Sequence, residues 1–290
     1  MQQFRSRRNQ PSLHTATRKK RAHKYTARTA DKHELYQLAV QSPEADLEFL
    51  VKAYKKITGR VATHFREDFC GTALLACEWV KQGAKYSAEG FDLDAKTLAW
   101  GWKNNVTPLE AASDRIVLHE ADVREKGDKP AHIRVAQNFS YCVFKTRAEL
   151  LDYFKRVRSE LAPGGMFAID IYGGNEGTEK LEEERKIEEG FTYVWDQYEY
   201  LPGNGHYTCY IHFRFKDGSE MKRAFAYDWR FWTMPELKDV LSDAGFSEIQ
   251  SWFEQSDDDE GEGNGIYKRD DAGRSSRDCA GWVAYILALK

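Results

Sequence analysis

Between residues 61 and 171 the chain repeats one pattern, in which a short apolar run is followed by a polar turn and then by an amphipathic segment. The apolar runs predict strands over residues 61–66, 86–91, 116–119, 133–137 and 166–171. Helical periodicity predicts helices over 73–81, 95–104 and 147–161. Because strands that alternate with helices form parallel sheets with helices on both faces, we predict an α/β fold with a doubly wound, mostly parallel sheet.

Residues 190–232 interrupt this alternation. Three β-rich runs (191–200, 206–215 and 220–227) are separated by the turn sequences PGNG and DG, which are typical of hairpins. We therefore predict an antiparallel β insertion over about 190–232. The chain then returns to a helix over 235–244 and strands over 248–253 and 282–289, which brings the main sheet to about seven strands.

Composition and cysteine spacing exclude several classes of protein. The chain has 290 residues, 41% of them hydrophobic, a mean hydropathy of −0.69, and no apolar run near the ~20 residues that cross a bilayer. We therefore predict no membrane association, and the N-terminus lacks the apolar core of a secretory signal. The five cysteines never form a CxxC pair. This spacing argues against a disulfide framework and a zinc site, and it favours a cytoplasmic location and no bound metal.

The net charge of −3 averages two unlike regions. Residues 1–30 hold nine Lys and Arg and no acid, which leaves 34 basic against 46 acidic residues, or −12, in residues 31–290. We predict a flexible basic arm over 1–30 and a folded domain over 31–290. The arm is either a solvated tail or a segment that contacts phosphate groups of a nucleic acid.

Four of the predicted strands end in polar residues. The first runs into REDFCGTA (66–73), the second into GFDLD (90–94), the third into ADV (121–123) and the fourth into QNFSY (137–141). Parallel sheets bind ligands beyond the carboxyl ends of their strands, near the point where the strand order reverses. The sequence therefore predicts a ligand site at this edge.

In these motifs and their order, residues 32–290 resemble the class I S-adenosylmethionine-dependent methyltransferases. Glu67 and the turn after it occupy the place of the family's first motif, Asp92 that of its second, and the ADV triplet that of its third. The resemblance implies a Rossmann-like fold, S-adenosyl-L-methionine as cofactor, and methyl transfer to N, O or S of a small-molecule acceptor. Two alternatives remain open: a nucleic-acid amino methyltransferase, and a non-catalytic protein that senses the cofactor.

The resemblance also assigns roles to residues of the strand ends. Asp92 would accept the ribose hydroxyls, and Asp122 the adenine amino group. Glu67 and Asp68 suit the ammonium of the amino acid tail, and Arg66 either binds the tail carboxylate or pairs with Glu67. The predicted cofactor-binding residues are Arg66, Glu67, Asp68, Cys70, Gly71, Asp92, Leu93, Asp122, Val123 and Asn138, with Leu93 and Val123 on either side of the adenine.

The turn after the first strand departs from the family. Where the family has three glycines, this chain has Phe69, Gly71 and Ala73. Because Phe69 has a Cβ and would resist positive φ, we expect a somewhat different turn shape.

Fewer sequence features identify the residues that would bind the methyl acceptor. Asn138 begins NFSY, which is similar to the Asn-Pro-Pro-Tyr motif of amino-methylating nucleic-acid enzymes but lacks both prolines. The aromatic insertion favours a flat or cationic acceptor; Arg230 could hold a carboxylate and Asp170 or Asp228 an amine. Tyr36 would close over the cofactor. The predicted catalytic residues are Asn138, Tyr36, Asp170 and Arg230.

Overall fold

The computed structural model describes residues 24–256 and 263–290. The helices are α1 (Lys32–Val40), α2 (Pro43–Thr58), α3 (Leu74–Lys81), α4 (Ala95–Gly101), α5 (Arg147–Glu160) and α6 (Met234–Asp243). The strands are β1 (His64–Asp68), β2 (Ser87–Asp92), β3 (Ile116–Glu120), β4 (Ala131–Ala136), β5 (Leu161–Gly173), β6 (Leu181–Ile187), β7 (Phe191–Leu201), β8 (His206–Phe215), β9 (Glu220–Arg230), β10 (Glu248–Ser256), β11 (Gly263–Arg269) and β12 (Trp282–Leu289). Among the described helices, none has the length and apolar composition that crossing a bilayer requires.

The larger sheet has the strand order β11-β10-β12-β5-β4-β1-β2-β3. Its neighbours from β3 to β5 are all parallel, whereas β12 runs antiparallel to both β5 and β10. The chain order reverses between β1 and β4, so the ends of these two strands lie at the topological switch point. The predicted doubly wound, Rossmann-like sheet is confirmed.

Helices cover both faces of this sheet, as the right-handed crossover rule requires. On one face, α2 and α3 bury Leu50 and Trp79 in the same cluster as Phe65 of β1. On the other, α5 and α6 bury Phe154 and Leu241 in a second cluster. The turns that follow the parallel strands therefore lie at the edge of the sheet, between the two helix layers.

Both helices of the second layer begin at capping boxes. Thr146 and Glu149 exchange side-chain and backbone hydrogen bonds at the start of α5, and Thr233 and Glu236 do the same at the start of α6. These reciprocal bonds satisfy N–H groups that would otherwise lack partners at a helix start. They place α5 and α6 within one or two residues of their predicted positions.

The smaller sheet is antiparallel throughout, in the order β6-β7-β8-β9. Its inner face is aromatic, with Trp195, Tyr207 and Trp229 each less than 5% exposed. The ring of Trp229 contacts Phe139, which follows β4, at a centroid distance of 6.5 Å. The smaller sheet therefore lies over the carboxyl ends of the parallel strands.

Two strands differ from the prediction. The insertion begins at Leu181 with β6 and not at about residue 190, and β11 lies in the region predicted as a loop, so the larger sheet has eight strands. Both β6 (LEEERKI) and β11 (GNGIYKR) are edge strands with many exposed residues. Edge strands are often charged or interrupted by glycine, which removes the alternation that predicts a strand.

The end of the predicted basic arm belongs to the folded domain. Residues 1–23 lie outside the described residues, but Tyr25 is buried with its ring 5.6 Å from that of Phe191. The N–H group of Ala27 donates to the hydroxyl of Ser219 at 2.9 Å. The domain therefore begins before residue 31, and its first residues pack against the smaller sheet.

Candidate functional site

The turn after β1 has three residues with left-handed backbone angles: Phe69 (φ 56°), Gly71 (φ 52°) and Ala73 (φ 55°). The expectation that Phe69 would avoid positive φ is wrong. A residue with a Cβ loses about 1–2 kcal/mol in this region. The ring of Phe69 contacts Phe144 and Tyr153 at centroid distances of 6.1 and 6.0 Å, and this packing offsets the backbone cost.

Asp92, at the end of β2, is tied to this turn. Its Oδ2 accepts the N–H group of Gly71 at 2.8 Å, and its Oδ1 accepts that of Asp94 at 2.9 Å. Each carboxylate oxygen can accept a second hydrogen bond. A Cβ added to Gly71 would meet only a Thr97 methyl at 3.8 Å, and Leu93 is 71% exposed. The site thus offers two acceptor atoms beside an open backbone surface and an exposed apolar side chain.

Glu67 lies below the same turn and is buried. Its Oε2 accepts the N–H group of Ala76, in the first turn of α3, at 3.0 Å. Burial raises the pKa of this carboxyl to about 8, and the nearby carboxylates of Asp92 and Asp68 contribute to the rise. Cys70 is buried beside it, and burial likewise raises the pKa of its thiol. Glu67 is therefore protonated at neutral pH until a cation comes close to it.

The protonated state of Glu67 gives a pH-dependent stability. Because the folded chain holds this proton more tightly than the unfolded chain, the stabilisation is complete below about pH 4.5 and is lost as the pH rises to about 8. We expect the free energy of unfolding to fall across this window relative to that of Glu67→Gln, which cannot titrate. Urea denaturation of both proteins measures the difference. Parallel pH profiles would contradict a protonated Glu67.

Arg66 and Asp68 face the opposite side of β1 from Glu67 and bind each other. Arg66 Nε donates to Asp68 Oδ1 at 2.8 Å and its Nη1 donates to Glu160 at 2.7 Å. Arg66 is 2% exposed and Asp68 1%. The alternative pairing of Arg66 with Glu67 is wrong, because adjacent strand residues point to opposite faces. Since both side chains are buried in contacts within the protein, we do not retain them as direct ligand contacts.

Asp122 lies just beyond β3 and next to Asp92, whose carbonyl accepts the N–H group of Ala121 at 3.0 Å. Arg124 binds the carboxylate of Asp122 through two hydrogen bonds, of 2.8 and 2.7 Å. This guanidinium holds the pKa of Asp122 below its usual value. Val123, the other predicted residue of this strand end, is 4% exposed. Asp122 is therefore an ionised acceptor that a ligand would share with Arg124.

The turn after β4 also has left-handed residues, Asn138 (φ 55°) and Phe139 (φ 58°). Their N–H groups donate to the two carboxylate oxygens of Asp170 at 2.8 and 3.0 Å, and the hydroxyl of Tyr141 donates to the Asp170 carbonyl at 2.9 Å. Asp170 is 4% exposed. It holds the Asn138 turn in place, so we do not retain it as the group that binds an acceptor amine.

Helix α1 lies across the turn after β1 and joins the two sheets. The Gln37 amide donates to the hydroxyl of Thr72 at 2.7 Å, a contact that the sequence did not predict. On the same helix, the ring of Tyr36 lies 5.0 Å from that of Phe225 in β9. Burial raises the pKa of Tyr36, which also interacts with the hydroxyl of Tyr227 and the carboxylate of Asp170. Tyr36 is thus held between α1 and the smaller sheet, and its lid role stays a prediction.

Arg230 and Asp228 lie outside this region. The guanidinium of Arg230 stacks on the ring of Trp232 at 3.7 Å and donates to Glu236 at 2.9 Å. Asp228 is on the face of the smaller sheet that is opposite to Trp229 and binds His206 and Lys145. The structure gives both residues roles within the protein, so neither is retained as a contact of the acceptor.

His212 lies on the outer face of the smaller sheet with Asp196 and Glu182, whose ligand atoms are within 4.8 Å of one another. Its Nδ1 accepts the N–H group of Arg223 at 2.8 Å, and its Nε2 lies 3.2 Å from Asp196. A neutral imidazole that accepts at Nδ1 carries its hydrogen on Nε2, so it has no second lone pair for a metal. His212 is a structural histidine.

Comparisons with known proteins were made by sequence and by structure. No model of a protein family and no curated protein matches the sequence. The structure is similar to that of the CcbJ methyltransferase from Streptomyces caelestis (TM-score 0.63, 16% identity, 86% of this chain and 97% of that chain). It is also similar to an S-adenosylmethionine-dependent methyltransferase from Clostridium acetobutylicum ATCC 824 (0.62, 13%, 88% and 96%). CalS10, an amino pentose methyltransferase from Micromonospora echinaspora, is a further similar structure (0.60, 13%, 89% and 95%). At these identities the likeness establishes the fold.

Proposed function

We propose that this protein is an S-adenosylmethionine-dependent methyltransferase that transfers a methyl group to N, O or S of a small-molecule acceptor. The observation that carries the proposal is the geometry of Asp92. Its two carboxylate oxygens each keep an acceptor position at the end of β2, beside an open turn at the topological switch point. A ribose diol needs two adjacent acceptors of this kind.

The remaining groups of the cofactor would be held by residues near Asp92. Protonated Glu67 can ionise beside the ammonium of the amino acid tail, and exposed Leu93 covers one face of the adenine. Val123 would face the other side of the ring, and Asp122 would accept from its amino group. The cofactor supplies the methyl group on a positive sulfonium, and the protein positions the acceptor in line with it and excludes water.

The acceptor side favours an amine nitrogen. Tyr36, Tyr193 and Tyr227 lie near one another between α1 and the smaller sheet, and burial raises the pKa of all three phenols. They therefore stay neutral and are poor bases at neutral pH, although they can accept hydrogen bonds from an amine. A neutral amine already has the lone pair that methyl transfer needs, whereas a hydroxyl must lose a proton. CalS10, described as an amino pentose methyltransferase, has the same fold.

A nucleic-acid acceptor is the second candidate, and the basic residues of 1–30 favour it. Binding by these residues would release counterions and weaken steeply with salt. Retention of the full chain on DNA or RNA at low salt, lost when residues 1–23 are removed, would support this candidate. A protein that binds the cofactor and methylates neither class would support a cofactor-sensing role.

Calorimetry with S-adenosylmethionine and S-adenosylhomocysteine tests the proposal directly. We expect both to bind below millimolar concentration. Because the tail ammonium should ionise Glu67, binding at neutral pH should release about one proton, which titrations in two buffers of different ionisation enthalpy would detect. A screen of small amines with methyl-labelled cofactor then tests the acceptor class. Failure of both cofactor forms to bind would overturn the proposed function.

A further inference from the structure

Two arginines lie side by side in the centre of the larger sheet. Arg66 in β1 and Arg134 in β4 are register partners in adjacent parallel strands, and they are 2% and 0% exposed. Burying two like charges is costly unless each is paired and hydrogen-bonded. Two apolar side chains of similar size would fill this space without the cost of burying charge. We therefore expect the two arginines to make contacts that apolar side chains cannot make.

Acidic groups neutralise the two guanidiniums. Asp68 accepts from Arg66 at 2.8 Å and from Arg134 at 2.7 Å. Glu160, at the end of α5, accepts from the same two residues at 2.7 and 3.3 Å. The hydroxyl of Tyr153 donates to Asp68 at 2.7 Å. Two positive and two negative side chains thus form a balanced cluster, and each guanidinium still has N–H groups to donate elsewhere.

Those remaining donors hold the segment between β3 and β4. The carbonyl of Val123 accepts from Nη2 of Arg66 at 2.8 Å and from Nη2 of Arg134 at 2.6 Å. Arg66 also donates to the carbonyl of Glu125 at 3.0 Å. The segment 121–130 contains no helix, so its backbone groups lack the partners that a helix would supply.

The segment also lies unusually close to the cluster at Gly127. Its N–H group lies 3.2 Å from a Glu160 carboxylate oxygen. A Cβ at this position would stand 2.6 Å from a carboxylate oxygen of Glu89 and 3.0 Å from Nη1 of Arg66. Glycine therefore permits the close approach on which the arginine contacts depend.

We infer that Arg66 and Arg134 are positioning residues, which hold the segment 121–130 through the Val123 carbonyl and so set the place of the adenine. This inference rests on the proposed function, which puts Asp122 and Val123 at that ring. The planar guanidinium can bind a carboxylate on one side and a carbonyl on another at fixed angles. Lysine has the charge but not this fork, so it cannot hold both.

The test compares Arg134→Lys with Tyr153→Phe in the full chain. Tyr153→Phe removes a hydrogen bond to Asp68 and leaves both arginine contacts with Val123, whereas the single ammonium of Arg134→Lys cannot bind Asp68 and the Val123 carbonyl together. We expect Arg134→Lys to speed amide hydrogen exchange in 121–130 and to weaken S-adenosylhomocysteine binding roughly tenfold, the effect of one charge-assisted hydrogen bond. The cofactor KM should rise while kcat at saturation stays near that of the unmodified enzyme. Tyr153→Phe should leave both exchange and affinity near their original values.

Gly127→Ala provides a second variant that keeps every charge of the cluster. Its Cβ should push the segment away from Arg66, so amide hydrogen exchange in 121–130 should speed up and the affinity for S-adenosylhomocysteine should fall. This variant tests the inference even if Arg134→Lys does not fold. Unchanged exchange in 121–130, or an equal rise in Tyr153→Phe, would overturn the inference. If the unmodified protein fails to bind S-adenosylhomocysteine, the proposed function fails, and the exchange measurement still decides whether the arginines hold the segment.

Discussion

Replacing Asp68 with alanine should cost the fold about 3–5 kcal/mol, because it leaves two buried arginines without their shared partner. Asp68 accepts from Arg66, Arg134 and Tyr153 at 2.7–2.8 Å and is 1% exposed. Only Glu160 would remain to balance both guanidiniums. Urea denaturation followed by circular dichroism measures the loss, and an unfolded variant at room temperature would agree with it.

Asp152→Ala is the matched control for this prediction. Asp152 pairs with Arg156 at 3.2 Å on the exposed side of α5, with about half of each side chain in water. Exposed pairs of this kind contribute about 0.3–0.5 kcal/mol. If Asp68→Ala destabilised the protein no more than Asp152→Ala, the cluster would not be the costly buried network that the geometry indicates.

The second large effect concerns Asp92→Ala and the affinity for cofactor. Removal of the carboxylate leaves both ribose hydroxyls without a charged acceptor, and such hydrogen bonds are worth about 1.5–3 kcal/mol. The dissociation constant for S-adenosylhomocysteine should therefore rise by about ten- to a hundredfold in calorimetry. The N–H groups of Gly71 and Asp94 also lose their acceptor, so a smaller loss of stability should accompany it.

Two further variants separate the carboxylate's chemistry from a general change of charge. Asp92→Asn keeps one acceptor oxygen and should bind with intermediate affinity. Asp114→Ala removes an exposed acid outside the site and should bind like the unmodified protein. A dissociation constant that is unchanged in Asp92→Ala would remove this residue from the cofactor site and, with it, the main support for the proposed function.

The parts of the fold that the sequence predicted are those governed by local pattern. The strand ends that carry Glu67, Asp92 and Asn138 follow from apolar runs that stop at polar residues. The helices α5 and α6 follow from apolar residues at helical spacing, and the structure adds the capping boxes at their starts. The strands β6 and β11 were missed because each is paired on one side only and is rich in charged residues or glycine, so neither has a continuous apolar face.

The parts that the sequence did not predict depend on contacts between distant residues. A charged residue inside β1 was visible at Arg66, but its partners Glu160 and Val123 lie 94 and 57 positions away. Arg134 stands at the equivalent place in β4, and two arginines in neighbouring buried strands are the signal that could have identified the cluster. Asp170 was predicted to bind an acceptor amine, but its carboxylate accepts a hydrogen bond from the N–H group of Asn138. These two residues are 32 positions apart in the chain.

The turn after β1 also constrains the order in which its sequence could have changed. Phe69 tolerates a left-handed backbone angle because its ring packs beside Phe144 and Tyr153. An ancestor with glycine at this position could accept phenylalanine at little cost only after those two aromatic residues were present. Once it had done so, returning to glycine would leave a gap in the aromatic packing. With one glycine where related turns have three, the turn therefore keeps its shape only while position 69 and its two aromatic neighbours remain matched.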